Sequence, residues 1–182
     1  MKRCKWVNLN NELYIKYHDL EWGKPKHDDS ILFEFLVLEM FQAGLSWECV
    51  LNKRENFRKA FDNFDYKKIA LYDEEKVNSL LADNSIIRNK LKINATIKNA
   101  KIFINIIEQY GSFNKYIWGF THNKIIENID DNIKTSSRLS DDISKDLKRR
   151  GMSFVGTTII YSYLEAIGII NDHELNCYLY NN

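Results

Sequence analysis

A chain of 182 residues is long enough for one domain, or two small lobes, around a real core. It is 45% hydrophobic and 28% charged, with one proline and seven glycines, a globular composition whose few chain-breaking residues favour helices. The net charge of +1 excludes a global polybasic character, so any nucleic-acid contact must rest on local patches. No apolar run reaches the roughly 20 residues of a membrane span, and no apolar stretch follows the basic start Met1–Trp6 as it would in a signal peptide. Three cysteines without an export signal argue against a disulfide framework, and the expected compartment is the cytoplasm.

In chain order, residues 1–28 read as irregular and unusually aromatic. Asp29 or Ser30 is placed to cap a helix through Ile31–Phe41 that is apolar nearly all round and therefore buried. Gly44 ends it. Ser46 caps the next helix, which reaches about Phe61, and Asp65 and Asp73 are further caps. The stretch Ala82–Lys92 is polar and reads as the tip of a helical hairpin carrying Arg88, Lys90 and Lys92. Ile93, Ile97, Ala100, Ile104 and Ile107 give residues 91–110 the clearest amphipathic period, with Gly111 fitting its C-terminal cap. Residues 121–139 read as a polar connection. A charged helix from Asp141 to Arg150 stops at Gly151, and an apolar one from Thr157 to Ile167 stops at Gly168. Strand signals are weak, so the expected class is all-α, in a single domain over 1–182 that could divide into two helical lobes.

The two ends of the chain carry matching soft ligands, Cys4 and His18 against His173 and Cys177. Two sulfurs and two imidazoles are a closed tetrahedral set for zinc. The i,i+4 spacing of His173 and Cys177 would place both on one face of a helix. Catalytic zinc keeps an open position, so four protein ligands favour a structural role. Against this stands the reading that the four are unconnected. Cys49, His27 and His122 have no evident companions.

Glu39 shares a helical face with Leu32, Phe35 and Leu36, where a carboxylate is costly unless it serves an ion pair, a cap or a ligand. Glu34 on the same helix reads as exposed. Trp6, Tyr14, Tyr17, Trp22 and Trp47 are numerous enough to sandwich a planar, even cationic, ring, although core packing accounts for any one of them alone. Gln42-Ala-Gly-Leu45 is a tight turn between two helices, with Gln42 and Leu45 at its tip. Lys145, Lys148, Arg149 and Arg150 form a second basic patch that a solvated helix face would equally explain.

Several segments taken together resemble one family. They are Arg3-Cys-Lys-Trp6, Tyr14-Ile-Lys-Tyr-His-Asp-Leu-Glu-Trp-Gly23, Leu38-Glu-Met-Phe-Gln-Ala-Gly-Leu-Ser-Trp47, Lys53-Arg-Glu-Asn-Phe57, Ile86-Ile-Arg-Asn89, Phe154-Val-Gly-Thr-Thr158 and Asn171-Asp-His173. In this order, over about residues 3–177, they resemble the bacterial DNA-3-methyladenine glycosylase I type. The resemblance implies a helix-hairpin-helix glycosylase fold with one structural zinc ion on Cys4, His18, His173 and Cys177. It also implies a pocket for 3-methyladenine with Glu39 as the recognition and catalytic carboxylate. Tyr17 and Trp47 would form the pocket walls, supported by Trp6, Tyr14 and Trp22. Gln42, Gly44 and Leu45 would probe DNA, and Arg88 and Lys90 would contact it.

The implied activity is that of a monomer acting on double-stranded DNA with alkylated bases. It flips out 3-methyladenine, hydrolyses the N-glycosidic bond and leaves an abasic site. The quoted segments offer no lysine nucleophile, so strand cleavage is not expected. Two departures stand out: Ser85 where the family often has glycine, and Glu165 where relatives often carry glutamine. Two other classes are to be weighed, a non-catalytic module that binds alkylated DNA and a zinc hydrolase of small molecules.

Overall fold

Ten helices account for most of the chain in the computed structural model, which describes residues 1–127, 132 and 134–180. Helix α2 (Asp29–Gln42) is the axis, with every residue from Leu32 to Phe41 buried. Its cap is Asp28, whose carboxylate accepts from the backbone N–H groups of Ser30 and Ile31. Neither expected cap, Asp29 or Ser30, takes that place, and Asp29 instead accepts from Phe113 and Asn114 at the start of α8 (Phe113–Gly119). Two adjacent aspartates thus cap two helices.

Residues 1–28 are not wholly irregular. Asn11 caps α1 (Glu12–Leu20), which sequence periodicity hides because its aromatic face points at a cavity and Leu13 and Leu20 face solvent. Ser46 caps α3 (Trp47–Asn52) as expected, but the helix breaks at Lys53 before α4 (Arg54–Ala60). The break frees Lys53 to donate to the Ser85 carbonyl at 3.0 Å. Asp65 and Asp73 cap α5 (Tyr66–Ile69) and α6 (Glu74–Ala82). Glu34 corrects its expected exposure. It is buried between Arg54 (2.6 Å) and Arg58 (2.8 Å), and Arg54 also reaches Glu21 at 2.7 Å.

Helix α6 and the long α7 (Lys90–Tyr110) flank the loop 83–89 as a helical hairpin. Ser85 has no left-handed backbone, so a serine fits there without strain. Gly111 closes α7 at φ +85°, as its position predicts. Lys92 is not at the hairpin tip. It is buried, and its ammonium donates to the carbonyls of Phe41 (3.0 Å) and Ala43 (2.6 Å), satisfying the open end of α2. Helices α9 (Arg138–Arg149) and α10 (Thr157–Ala166) pack together. The Tyr163 hydroxyl on α10 donates to the Leu32 carbonyl at 3.0 Å.

The class is mostly helical rather than all-α. A two-residue strand β1 (Ile126–Glu127) pairs in parallel with β2 (Ile170–Asn171), Ile126 opposite Ile170. Two residues carry too little alternation to show in sequence. Residues 128–131 and 133 of the polar connection lie outside the described residues.

Replacing Lys92 by methionine keeps the apolar stem but leaves two carbonyls without their donor. Urea unfolding should show a loss of about 1–3 kcal/mol. An unchanged unfolding midpoint would mean that Lys92 does not hold the end of α2.

Candidate active site and metal cluster

A cavity of about 670 Å³ opens between α1, α2, the start of α3 and α10. Trp6, Tyr14, Tyr17, Trp22, Glu39, Gln42 and Trp47 all line it, so the structure brings together the expected aromatic residues and the expected carboxylate. The Tyr17 and Trp47 rings lie 5.0 Å apart between centroids at 44°. Trp6 is T-shaped to Trp22 at 4.9 Å and tilted to Tyr14 at 5.4 Å.

Glu39 is 3% exposed, and among the described residues its Oε2 has no hydrogen-bond partner. Burial pushes its pKa up to about 8, with no neighbouring charge to oppose the shift. The Trp47 indole N–H is likewise buried without an acceptor. One wall therefore offers a spare acceptor and a spare donor, the pattern of a site waiting for a polar planar ligand. Tyr17 is held neutral, chiefly by burial and then by Glu39.

The far side of the cavity was not legible in sequence. Ser162 and Glu165 of α10 line it, and so do Asp172 and Glu174 beside the metal-type cluster. Burial, and then a hydrogen bond to Asp172, holds the Glu165 carboxyl well above the usual range. Lys5 and Lys134 also line the cavity, and Lys5 pairs with Glu174. Acidic residues of this kind have no spacing signature, because the end of α10 and the strand β2 bring them together from outside the aromatic segment.

The turn after α2 places Gly44 at φ +78°, a backbone that favours glycine. Leu45 beyond it is 43% exposed. Gln42 lies at the mouth of the cavity, while Arg88 and Lys90 are exposed on the hairpin and do not line it.

Cys4, His18, His173 and Cys177 are all buried, with their ligand atoms within 4.8 Å of one another. The four come from an irregular start, the last turn of α1 and a run of turns after β2. His173 and Cys177 are not on a helix, and the Cys177 N–H reaches only the Glu174 carbonyl. A tetrahedral zinc with bonds of about 2.3 Å to sulfur and about 2.0–2.1 Å to nitrogen sets sulfur and nitrogen about 3.5 Å apart. The distances are 3.5 Å from Cys4 to His173 Nδ1, 3.5 Å from Cys177 to His18 Nε2 and 3.6 Å from Cys177 to His173 Nδ1. These residues therefore fit zinc.

Their surroundings fit as well. The second nitrogen of His18 lies 2.8 Å from Asp19, itself held by Arg3 at 2.7 and 2.8 Å, and the His173 ring hydrogen-bonds the Trp22 backbone. A side chain on Gly23 would come within 2.9 Å of His173 Nε2, so the glycine leaves room for that ring. Burial pushes the Cys4 thiol up to about 12 and His173 down to about 4, so thiolates here call for a cation while neutral imidazoles are ready ligands.

Residues 6–180 match the methyladenine glycosylase family profile. The chain belongs to the methyladenine glycosylase family. It is 45% identical to DNA-3-methyladenine glycosylase 1 of Escherichia coli K12 over 183 residues, covering 99% of this chain and 97% of that protein. A crystal structure of 3-methyladenine DNA glycosylase I superposes with a TM-score of 0.93 at 45% identity, covering 98% of this chain and 99% of the other. A tyrosine-to-phenylalanine variant of such an enzyme, crystallised in complex with 3-methyladenine, gives 0.92 at 32% identity, covering 98% and 97%.

The raised Glu39 pKa makes a signed prediction for this methyladenine glycosylase. The folded protein keeps a proton that the unfolded chain gives up near pH 4.5, so stability falls as pH rises from about 4.5 to about 8 and is flat above. The loss at pH 7 is roughly 3 kcal/mol. Unfolding of the ligand-free protein across this window should show that slope, and Glu39→Gln should make it shallower, leaving the share of Glu165, whose carboxyl is also raised. A slope unchanged by the substitution would place the titration elsewhere.

Proposed function

We propose that this chain is a monofunctional DNA glycosylase that removes 3-methyladenine from alkylated double-stranded DNA, leaving an abasic site for repair. The observation that carries the reading is the orphaned pair, Glu39 Oε2 and the Trp47 indole N–H, in an aromatic cavity of about 670 Å³. Methylation at N3 makes the adenine cationic, and the base leaves as a neutral molecule, so little leaving-group protonation is required. The nucleotide is extruded into the cavity, where unstacking costs a few kcal/mol and less for a damaged base. Tyr17 and Trp47 contact the ring, and cation–π attraction adds roughly 0.5–2 kcal/mol. Glu39 accepts hydrogen bonds from the adenine edge, and the positive ring in turn favours its ionised form. As the bond to C1′ lengthens, positive charge moves to the sugar, and water completes the hydrolysis. Trp6, Tyr14 and Trp22 hold the walls in place.

Gln42, Gly44 and Leu45 form the DNA-probing tip, and Arg88 and Lys90 contact the phosphate backbone. Cys4, His18, His173 and Cys177 hold one structural zinc. When bound it supplies a cross-link between the two ends of the chain and charge for the thiolates. Treated like a disulfide of this loop length, the link is worth about 4–5 kcal/mol. All four positions are protein ligands, which leaves a zinc hydrolase without the open site it needs. The whole chain acts as one domain and as a monomer.

Alkylated DNA incubated with the protein, followed by chromatography, should release free 3-methyladenine. Glu39→Gln should lower the release rate at least tenfold while keeping the fold, and a wild-type rate would refute the role of Glu39. Retention on lesion DNA without base release would instead favour the non-catalytic module. Metal analysis should find about one zinc per chain. Chelation should lower the melting temperature and weaken binding of free 3-methyladenine; a metal-free protein that melts normally would remove the clasp.

A further inference from the structure

The cavity holds more acid than a single cation calls for. Besides Glu39 it is lined by Glu165, Asp172 and Glu174. Glu174 is engaged elsewhere: its Oε1 accepts from the Lys5 N–H at 2.7 Å, and its other oxygen lies 3.5 Å from the Lys5 ammonium. The Glu165 and Asp172 side chains are hydrogen-bonded to each other. Two carboxyl groups bond in this way only with a proton between them, since two carboxylates offer acceptors alone. Burial holds the Glu165 carboxyl well above the usual range, so Glu165 is the acid of the pair. It donates its O–H to Asp172 and keeps its second oxygen as an acceptor for the cavity it lines.

The fold fixes this acceptor on a different wall from Glu39. Glu39 stands in the last turn of α2 and Glu165 in the last turn of α10. The two helices pack together, tied by the Tyr163 hydroxyl on the Leu32 carbonyl. The backbone carbonyl of Glu165 accepts from the N–H groups of Gly23 and Gly168, each at 3.1 Å. The next carbonyl, Ala166, takes the Lys26 ammonium at 2.7 Å. The end of α10 is therefore anchored to the segment that follows Tyr17 on α1. The three side chains also feel one another: the Glu39 charge raises Glu165, and Glu165 in turn raises Tyr17.

The exocyclic amine of adenine carries two N–H groups that point apart, so one carboxylate cannot accept both in line. Inside the cavity an unpaired donor is costly, and the positive charge of the ring makes the amine a stronger donor still. With Glu39 on one N–H, the other calls for an acceptor from a second wall. An oxo group at the same ring position would meet two acceptors and have no hydrogen to offer either.

We propose that Glu165 is a specificity-determining residue, whose carbonyl oxygen accepts the second amine N–H of a methylated adenine and disfavours purines with an oxo group there, such as 3-methylguanine. Asp172 is a positioning residue, which fixes the oxygen of Glu165 that carries the proton. The inference rests on the reading of the cavity as a lesion-base site.

The test follows release of 3-methyladenine and 3-methylguanine from one sample of methylated DNA. Glu165→Met keeps the size of the side chain and removes the acceptor. It should lower 3-methyladenine release roughly tenfold or more, as loss of a paired polar contact does, while 3-methylguanine release holds or rises. The melting temperature should stay as in the wild type, and so should affinity for a duplex with an abasic-site analogue, which has no base to recognise. Glu165→Gln should restore 3-methyladenine release, because its amide donates to Asp172 and presents the same carbonyl. Should Glu165→Met fail to fold, Glu165→Ala should show the same split between the two bases. Wild-type selectivity in a folded variant overturns the proposal. So does an equal fall for both bases, which would make Glu165 a packing residue. A Glu165→Gln variant as poor as Glu165→Met overturns it too. Failure of the wild-type protein to release either base would instead sink the glycosylase reading itself.

Discussion

Burial of α2 on every side is the constraint from which the rest follows, because it takes Glu39 into the core with it. A carboxylate there has no ion pair among the described residues, and its neighbours on the helix are leucine and phenylalanine. The fold contrasts this with Glu34, five residues earlier, which is equally buried but held by two arginines. One helix thus carries a satisfied carboxylate that ties α2 to α4 and an unsatisfied one that faces a cavity. Leaving Glu39 without a partner costs stability in the free protein, and that unmet demand is what a cationic ring is suited to satisfy.

The cluster at the chain ends connects to this pocket through rings. His18 follows Tyr17 on α1, and the Trp22 ring lies 4.6 Å from that of His173. Trp6 touches both Trp22 and His18. Whatever holds the four ligands therefore also sets the aromatic wall. The ends are further joined without metal, since the Lys5 N–H donates to Glu174 and the Tyr178 N–H to the Lys2 carbonyl. A metal here would act on function through position, with no atom of its own at the base.

Much of this was legible in sequence. The all-round apolar pattern of 31–41 marks a buried helix, the isoleucine period marks α7, and cysteine and histidine at both ends mark a four-ligand set. What stayed hidden shares a physical reason: it depends on partners far away in the chain. Asp29 caps a helix 84 residues later, and Lys92 looks like a hairpin charge until the end of α2 arrives above it. Glu34 looks exposed until Arg54 and Arg58 cover it. Asp172 and Glu165 enter the cavity only because β2 follows α10 back toward α1.

The central claim is that Glu39 is an uncompensated buried carboxylate kept for a cationic base. Carbon-13 NMR titration of its side-chain carboxyl tests this most directly, in the free protein and with a duplex bound that carries a cationic N3-methyladenine nucleotide stabilised by a 2′-fluoro sugar. The account predicts titration near pH 8 in the free protein and a marked downward shift on binding. Titration near 4.5 without ligand, or no shift with it, would contradict the account.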